Sequence, residues 1–280
     1  MKQMSLQNIA AACHGTFHGD AALLSKEITG VAIDSRKIEK DFLFVPIRGE
    51  RVDGHSFIPQ VMEKGALATL SEQPLENVTH PYILVKSCDQ ALKEIAAFYL
   101  DVLNIPVVGI TGSVGKTSTK ETIASILAQK YSVLKTEGNY NNEIGLPLTI
   151  FNLTEEHEVA VLEMGIDHHG EMHRLAAINR PNIMVITNIG LAHLENFGSR
   201  EGTLKAKTEC FEHLKPNATV ILNGDDDKLC TVNSVQGKTA GELAEEILLR
   251  DPNNDTAIFI RAKDALARKD WDTAYTNTSQ

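Results

Sequence analysis

No apolar run in this 280-residue chain approaches the length of a membrane span. Runs such as "IPVVGI" (105–110) fall far short of the ~20 residues needed to cross a bilayer. Cysteine is scarce. Cys13, Cys88, Cys210 and Cys230 are the only four, and none are spaced C-x-x-C. That spacing argues against a zinc cluster, and four scattered thiols make no disulfide framework, so a reducing, cytosolic setting is expected. Basic charge is lacking too: 27 Lys and Arg stand against 37 Asp and Glu, a net charge of −10. A broad nucleic-acid-binding face needs the opposite balance. An anionic ligand held in a local pocket remains compatible. The opening "MKQMSLQNIAAACHG" has no apolar core behind a basic start, so no signal peptide is expected.

What is present is ordinary for a soluble globular protein: 42% hydrophobic and 23% charged residues. At about 100–200 residues per domain, the length predicts roughly two domains. Three regions emerge. Residues 1–104 mix short β-like runs (28–34, 41–47, 82–86) with helical patterns (55–66, 88–100), as an α/β or α+β domain does. Pro106 then fits a linker and a new strand start. Residues 105–232 alternate regularly. Strands are predicted at 105–110, 158–165, 182–190 and 218–224. Helices are predicted over 116–130, 170–180 (stopped by Pro181) and 199–215. In the first helix Ile123, Ile126 and Leu127 are expected on one apolar face. Such alternation predicts a parallel sheet covered by helices, with ligands beyond the C-terminal strand ends. Residues 233–280 break the pattern. "TAGELAEEILLR", "DPNN" and "DTAIFIRAKDALARKDWDTAYTN" weakly resemble one tetratricopeptide-type helical hairpin without a second copy.

The chemistry concentrates at strand ends. "GITGSVGKTSTK" (109–120) follows a strand and opens a helix, the context of a phosphate loop. It lacks the first glycine of G-x-x-x-x-G-K-[ST], since position 110 is Ile. In that context backbone N–H groups from Gly112 to Lys116 would face an anion, Lys116 would reach the β- and γ-phosphates and the Thr117 hydroxyl would ligate Mg²⁺. The alternative is a glycine turn with a solvated lysine. Glu163, at the end of the next strand, suits a Mg²⁺ ligand or a strand-end salt bridge. His193, just past the third strand, is a site histidine or a hydrogen-bonded structural one. "EGNYNNEIGLPLTI" (137–150) offers Asn139 and Asn142 for substrate or γ-phosphate contacts, or is a turn-rich loop. "DHHGEMH" (167–173) puts His169 and His173 four apart, but Gly170 stands where the protease pattern H-E-x-x-H needs Glu, so these histidines are expected on the rim. Lys207, in "LKAKTE", reads on residue chemistry alone as a solvated donor.

Together these pieces resemble the Mur ligase family. The resemblance rests on "DSRKIEKDFLFVPIRGERVDGHSFI" (34–58), "GITGSVGKTSTKE", "KTEGNYNNEIGLPLT", "LEMGIDHHGE", "RPNIMVITNIGLAHLENFGS", "AKTE" and "ILNGDDD", in family order over about residues 1–232. The missing glycine is explained, because this family uses T-G-x-x-G-K-[ST]. The resemblance implies an ATP-dependent amide ligase that joins D-alanyl-D-alanine to UDP-N-acetylmuramoyl-tripeptide through an acyl phosphate. It implies a small amino-terminal UDP-sugar domain (1–104), holding the sugar nucleotide around Ser35, Arg36 and 49–56. A parallel-sheet ATP domain (105–232) would follow, with the helical tail (233–280) as a possible surface for a protein partner. ATP phosphates would lie on Thr111, Gly112, Ser113, Val114, Gly115, Lys116, Thr117 and Ser118. Thr117 and Glu163 would hold one Mg²⁺, and His193 would help hold a second. Lys207 would be carbamylated by CO₂ into a metal ligand. Catalytic roles fall to Lys116, Lys207 and His193.

The sequence departs from the family after "NGDDD". Family members continue well past that point, with an H-N-x-x-N-type segment, a D-x-Y-N-x-N-P segment and a further domain for the incoming amine. The expectation is therefore a ligase cut short or recombined after about residue 232. Two other functions compete: a non-catalytic module binding nucleotide or UDP-sugar, and a generic phosphate-loop ATPase. A plain ATPase needs neither "AKTE" nor "NYNNEIG".

Overall fold

The computed structural model describes residues 1–49, 52–76, 80–235 and 238–239. Residues 240–280, which carry nearly all of the expected helical hairpin, lie outside the described residues, as do positions 50 and 51 of the predicted sugar segment.

Two five-stranded sheets occupy the compact unit Met1–Leu222. The first forms from α1 (Leu6–Ala12), β1 (Thr16–His18), β2 (Gly30–Ala32), β3 (Phe42–Phe44), α2 (Ile58–Glu63), β4 (Ala68–Ser71), β5 (Tyr82–Leu84) and α3 (Cys88–Leu103). Its strand order is β1-β5-β4-β3-β2, parallel except for β1. Side-chain caps set the helix starts. Ser5 accepts from the Asn8 N–H and Ser87 from the Gln90 N–H. Asn104 ends α3 in the left-handed conformation, two residues before Pro106. Phe44, Val61 and Ile58 form the core under this sheet.

The second sheet comprises β6 (Val107–Thr111), α4 (Lys116–Leu127), β7 (Val133–Lys135), α5 (Gly145–Ile150), β8 (Val159–Glu163), α6 (Glu171–Asn179), β9 (Ile183–Ile186), α7 (Leu194–Phe197), α8 (Arg200–Thr208) and β10 (Thr219–Leu222). All its pairings are parallel, in the order β10-β9-β6-β8-β7. β6 and β8 are buried along their whole length, as near-continuous apolar strands covered on both faces are. β10 stands at the sheet edge, where Ile221 is half exposed.

This order places a site before any side chain is considered. After β6 the chain crosses to β7 and β8 on one side, then to β9 and β10 on the other. Both neighbours of β6 thus leave it in opposite directions, and the crevice beyond its carboxyl end is the topological switch point. The loop 112–115 and residues 187–190 lie beyond the ends of β6 and β9, and Glu163 is the last residue of β8.

The fold class is the expected α/β with parallel sheets. Details differ. The predicted helix 55–66 is a 3₁₀ turn (Gly54–Phe57) leading into α2, and the predicted helix 199–215 is α8 followed by a 3₁₀ helix (Glu209–His213). Ile126 is 66% exposed, so it does not belong to the buried face of α4. Lys120, Ile123, Ala124 and Leu127 do, at the i, i+3, i+4, i+7 spacing of a helical stripe.

In the unit Asn223–Gln280 the described residues include a 3₁₀ turn (Leu229–Thr231) and a two-stranded antiparallel ladder of β11 (Ser234–Val235) and β12 (Lys238–Thr239).

Candidate active site

The loop after β6 is fixed from below and open above. Thr111 is buried and donates its hydroxyl to the Met164 carbonyl at 2.8 Å. Gly112 has φ +143°, and a Cβ there would sit 1.9 Å from the Thr187 Oγ1. Only glycine lets the loop lie this close to the end of β9. Thr187 in turn donates to the Val114 carbonyl at 2.6 Å. Asn188 adds two bonds: its Oδ1 accepts from the N–H of Ser113 at 3.1 Å and of Val114 at 3.0 Å. The Ser113 hydroxyl accepts from Gly190 N–H at 2.8 Å. Of the loop N–H groups expected to face an anion, those of Ser113 and Val114 are therefore committed to the protein.

The N–H groups of Gly115, Lys116, Thr117 and Ser118 are not. Gly115 begins α4 in the left-handed conformation (φ 80°), and no side chain caps the helix. These four groups have no acceptor among the described residues. They are the orphan donors that every helix start presents, carrying the positive end of its dipole. Lys116 bends back to donate to the Gly112 carbonyl at 2.9 Å. Burial holds its ammonium below the ordinary lysine range, opposed by the Glu163 charge. Ser118 is exposed at the rim.

Glu163 ends β8 almost wholly buried. Its Oε2 accepts from the Thr117 hydroxyl at 3.1 Å, its Oε1 from the Asn141 amide at 2.9 Å, and its N–H donates to Thr136 Oγ1 at 2.9 Å. Lys120, also buried, lies 3.8 Å from Oε2 and donates to the Thr136 carbonyl at 2.7 Å. The carboxylate is thus aimed, and its charge balanced, before any ligand arrives.

Lys207 is 3% exposed on α8, contrary to the solvated reading of residue chemistry alone. Its Nζ has no hydrogen bond or ion pair among the described residues. Burial, and then the Lys116 charge, pull its pKa down to about 8. A buried amine of this kind is the lysine form that reacts as a nucleophile. His193 is exposed, in the left-handed conformation (φ 57°), and stands just before α7 without capping it through its side chain. It lines a cavity of about 570 Å³ together with Lys116, Asn141, Asn142, Gly165 and Asp167.

A second cavity of about 990 Å³ runs between the two sheets' loops, lined by Asp34, Lys37, Asn139, Tyr140, Asn142 and Lys135 among others. Asn142 borders both cavities, but its Oδ1 is occupied in capping α5 through the N–H groups of Ile144 and Gly145. Asp34 and Lys37 line this second cavity, but Ser35 and Arg36 between them are not among its lining residues. Arg36 is exposed and grips Asp34 with Nε (2.9 Å) and Nη2 (2.8 Å), which holds the Asp34 carboxyl far below its usual range.

This chain matches the Mur ligase middle domain over residues 110–256 and the Mur ligase family, catalytic domain, over residues 27–100. The chain belongs to the Mur ligase family. Among curated relatives, the UDP-N-acetylmuramoyl-tripeptide–D-alanyl-D-alanine ligase of Bacillus subtilis strain 168 is 43% identical over 243 residues, 86% of this chain and 53% of the relative. The ligase of the same name from Escherichia coli strain K12 is 41% identical over 210 residues, 75% of this chain and 46% of the relative. A crystal structure of MurF from Acinetobacter baumannii superposes with a TM-score of 0.75 at 35% identity, over 80% of this chain and 49% of that one. MurF ligase from Thermotoga maritima in complex with ADP gives 0.68 at 38% identity, over 72% and 47%. The chain spans about half the length of the curated relatives it matches.

Several residues of this Mur ligase chain's crevice escape a motif reading. Asn141, not Asn139 or Asn142, touches Glu163. Asn188 holds the loop, Lys120 backs the carboxylate, and Glu209 of "AKTE" caps α6. The Glu209 oxygens accept from the Gly170 N–H at 3.0 and 2.9 Å. Asn188 was findable, since it follows a parallel strand at the end where ligands gather.

Proposed function

We propose that this chain supplies the ATP- and UDP-sugar-binding parts of a cytoplasmic ligase that joins D-alanyl-D-alanine to UDP-N-acetylmuramoyl-tripeptide during peptidoglycan precursor synthesis. One observation carries the reading: the uncapped start of α4, with Lys116 above it, faces a buried carboxylate at the switch point of the sheet. Four orphan N–H groups and a lysine fit the phosphates of ATP. Residues 105–232 are assigned to the nucleotide and 1–104, with Ser35 and Arg36, to the UDP-sugar.

The donor set also fits a magnesium ion. Thr117 Oγ1 and Glu163 Oε2 are 3.1 Å apart, close to the about 2.9 Å that separates adjacent ligands of an octahedral ion with 2.0–2.1 Å bonds. When bound, Mg²⁺ neutralises charge building on the transferring phosphoryl group. His193 and a carbamylated Lys207 are assigned to a second ion. Carbamylation joins the neutral Lys207 amine to CO₂ and releases one proton, leaving an N-carboxylate. Burial supports it by keeping much of the amine neutral near pH 8.

In the proposed reaction the tripeptide carboxylate takes the γ-phosphoryl group, giving an acyl phosphate and ADP. The dipeptide amine then attacks the acyl carbon and phosphate leaves. Lys116 leaves the Gly112 carbonyl to meet the moving phosphoryl charge, and the anchored loop holds the reactants in line.

The test incubates the full chain with UDP-N-acetylmuramoyl-tripeptide, D-alanyl-D-alanine, ATP and Mg²⁺ and follows phosphate release. Release that needs both substrates and disappears in Lys116→Ala supports the ligase. Failure to bind ATP or the sugar nucleotide defeats the proposal, and tight binding of both with no release assigns this chain a binding module rather than a complete ligase.

A further inference from the structure

Away from the crevice, three ligand-bearing side chains converge on the outer face of α6. His173 lies on α6, and Glu212 and His213 on the 3₁₀ helix that follows α8. The His213 Nε2 is 3.1 Å from His173 Nδ1 and 3.2 Å from His173 Nε2, and Glu212 Oε2 is 3.0 Å from His173 Nδ1. The rings stand edge to face, 75° apart with centroids at 4.2 Å. All three ligand atoms lie within 4.8 Å of one another. Tetrahedral ligands at 2.0–2.1 Å from zinc are separated by about 3.3 Å. The two separations that involve His173 are close to that spacing, and the third lies within 4.8 Å, so the three ligand atoms need only a small adjustment to surround one ion.

We propose that His173, Glu212 and His213 form a binding site for a borderline-soft divalent cation such as Zn²⁺, distinct from the proposed magnesium site. Two imidazoles and one carboxylate are a donor set that prefers Zn²⁺ over Mg²⁺, which takes oxygen ligands. His173 and Glu212 are exposed and His213 half-buried, so an ion has an open approach. Three protein ligands leave a fourth position for water.

The neighbouring group Asp167, His168 and Glu171 is differently employed. Glu171 Oε2 already accepts from the N–H groups of Asp167 (2.8 Å) and His168 (2.9 Å), closing the turn before α6. No comparable backbone bond ties up Glu212 or the two rings among the described residues.

The position gives the ion a structural consequence. It would bridge α6 to the segment immediately after Lys207, next to the cap that Glu209 makes on α6. Metal binding should therefore stabilise the segment that carries the buried amine, by mass action on the folded state.

Isothermal titration calorimetry of the full chain with ZnCl₂, in excess MgCl₂, reads the site directly. A Cys230→Ser background removes the exposed thiol. One equivalent of Zn²⁺ is expected to bind and to raise the melting temperature. His213→Ala and His173→Ala should each weaken binding by at least the roughly 10- to 100-fold that loss of a mere outer-shell partner costs. Failure to bind Zn²⁺, or unchanged affinity in a folded His173→Ala/His213→Ala double variant, overturns the proposal. Should the variants misfold, the Co²⁺-loaded parent chain decides: a d–d absorption band of nitrogen–oxygen ligation supports the site, and its absence overturns it.

Discussion

Helices α4 and α6 begin alike and end up with opposite duties. Each follows a buried parallel strand, and each starts on a left-handed glycine, Gly115 at φ 80° and Gly170 at φ 83°. Neither has a side-chain cap from its own N-cap residue. At α6 the chain answers the orphan donors itself: Glu209, from 39 residues further on, brings both carboxylate oxygens to the Gly170 N–H and one to the His173 N–H at 3.4 Å. At α4 the nearby carboxylate, Glu163, takes the Thr117 hydroxyl and leaves the backbone N–H groups open. A helix start that the protein satisfies is scaffold, and one that it leaves open beside a lysine is a place for an anion. The same loop geometry thus says little until its donors have been traced to their acceptors.

The largest effect is expected where the open end is disarmed. Lys116→Ala should lower substrate-dependent phosphate release by about 10²–10³-fold, the usual loss when a donor to developing charge is removed. The melting temperature should hold or rise, because a partly desolvated cation disappears. Unchanged turnover would make α4 another scaffold helix.

Next is Lys207, whose folded pKa of about 8 lies below its ordinary 10.5. The buried ammonium costs stability wherever both states are protonated, below about pH 8. That cost fades as pH rises from about 8 towards 10.5. In CO₂-free buffer, Lys207→Met should therefore gain about 3 kcal/mol of unfolding free energy at pH 7. The difference between parent and variant should shrink towards pH 10. A pH-independent difference in denaturant titrations would mean that this amine is not desolvated.

Opening α6 sharpens the contrast from the other side. Glu209→Ala leaves two backbone donors unsatisfied and should cost about 1–3 kcal/mol, read as a lower unfolding midpoint. Glu209→Gln keeps one acceptor oxygen and should recover part of it. If neither variant moves the midpoint, the cap is ornamental.

The smallest effect belongs to Arg36, exposed and, among the described residues, paired only with Asp34, two residues away. Arg36→Ala should leave the melting temperature in place and weaken only the sugar nucleotide, seen as a raised KM with kcat unchanged. A large loss of kcat would place Arg36 nearer the chemistry than the second cavity allows.

These contrasts also explain what could be read without coordinates. The parallel sheet was legible because "IPVVGI", "EVAVLE" and "NIMVI" are apolar runs separated by helical periods. β4 was not: "ATLS" is fully buried yet has a single Leu among small and polar residues. β1 ("TFH") and β7 ("VLK") lack the longer apolar runs that marked the equally short β2, β3 and β5. Ile126 was misplaced because apolarity was counted without its angle around the helix. Within the site, local patterns spoke and distant ones did not. Glycine, lysine and threonine in one loop signal themselves. Asn188 acts on Ser113 across 75 residues, and no spacing rule reaches that far. "DHHGEMH" showed His169 and His173 four apart, but the structure pairs His173 with His213, 40 residues on, and sets His169 edge-on to Phe197.

The close approach of Gly112 to Thr187 has a consequence for how this chain can change over generations. A single methyl at 112 would collide with the Thr187 hydroxyl at 1.9 Å. Trimming Thr187 to make room would forfeit its bond to the Val114 carbonyl, and the backbone at φ +143° would still resist any side chain. No single change at 187 both admits a side chain at 112 and keeps the bond to the Val114 carbonyl. The glycine at 112 and a hydroxyl at 187 are therefore coupled, so drift in this crevice is expected around the joint between loop and strand rather than through it.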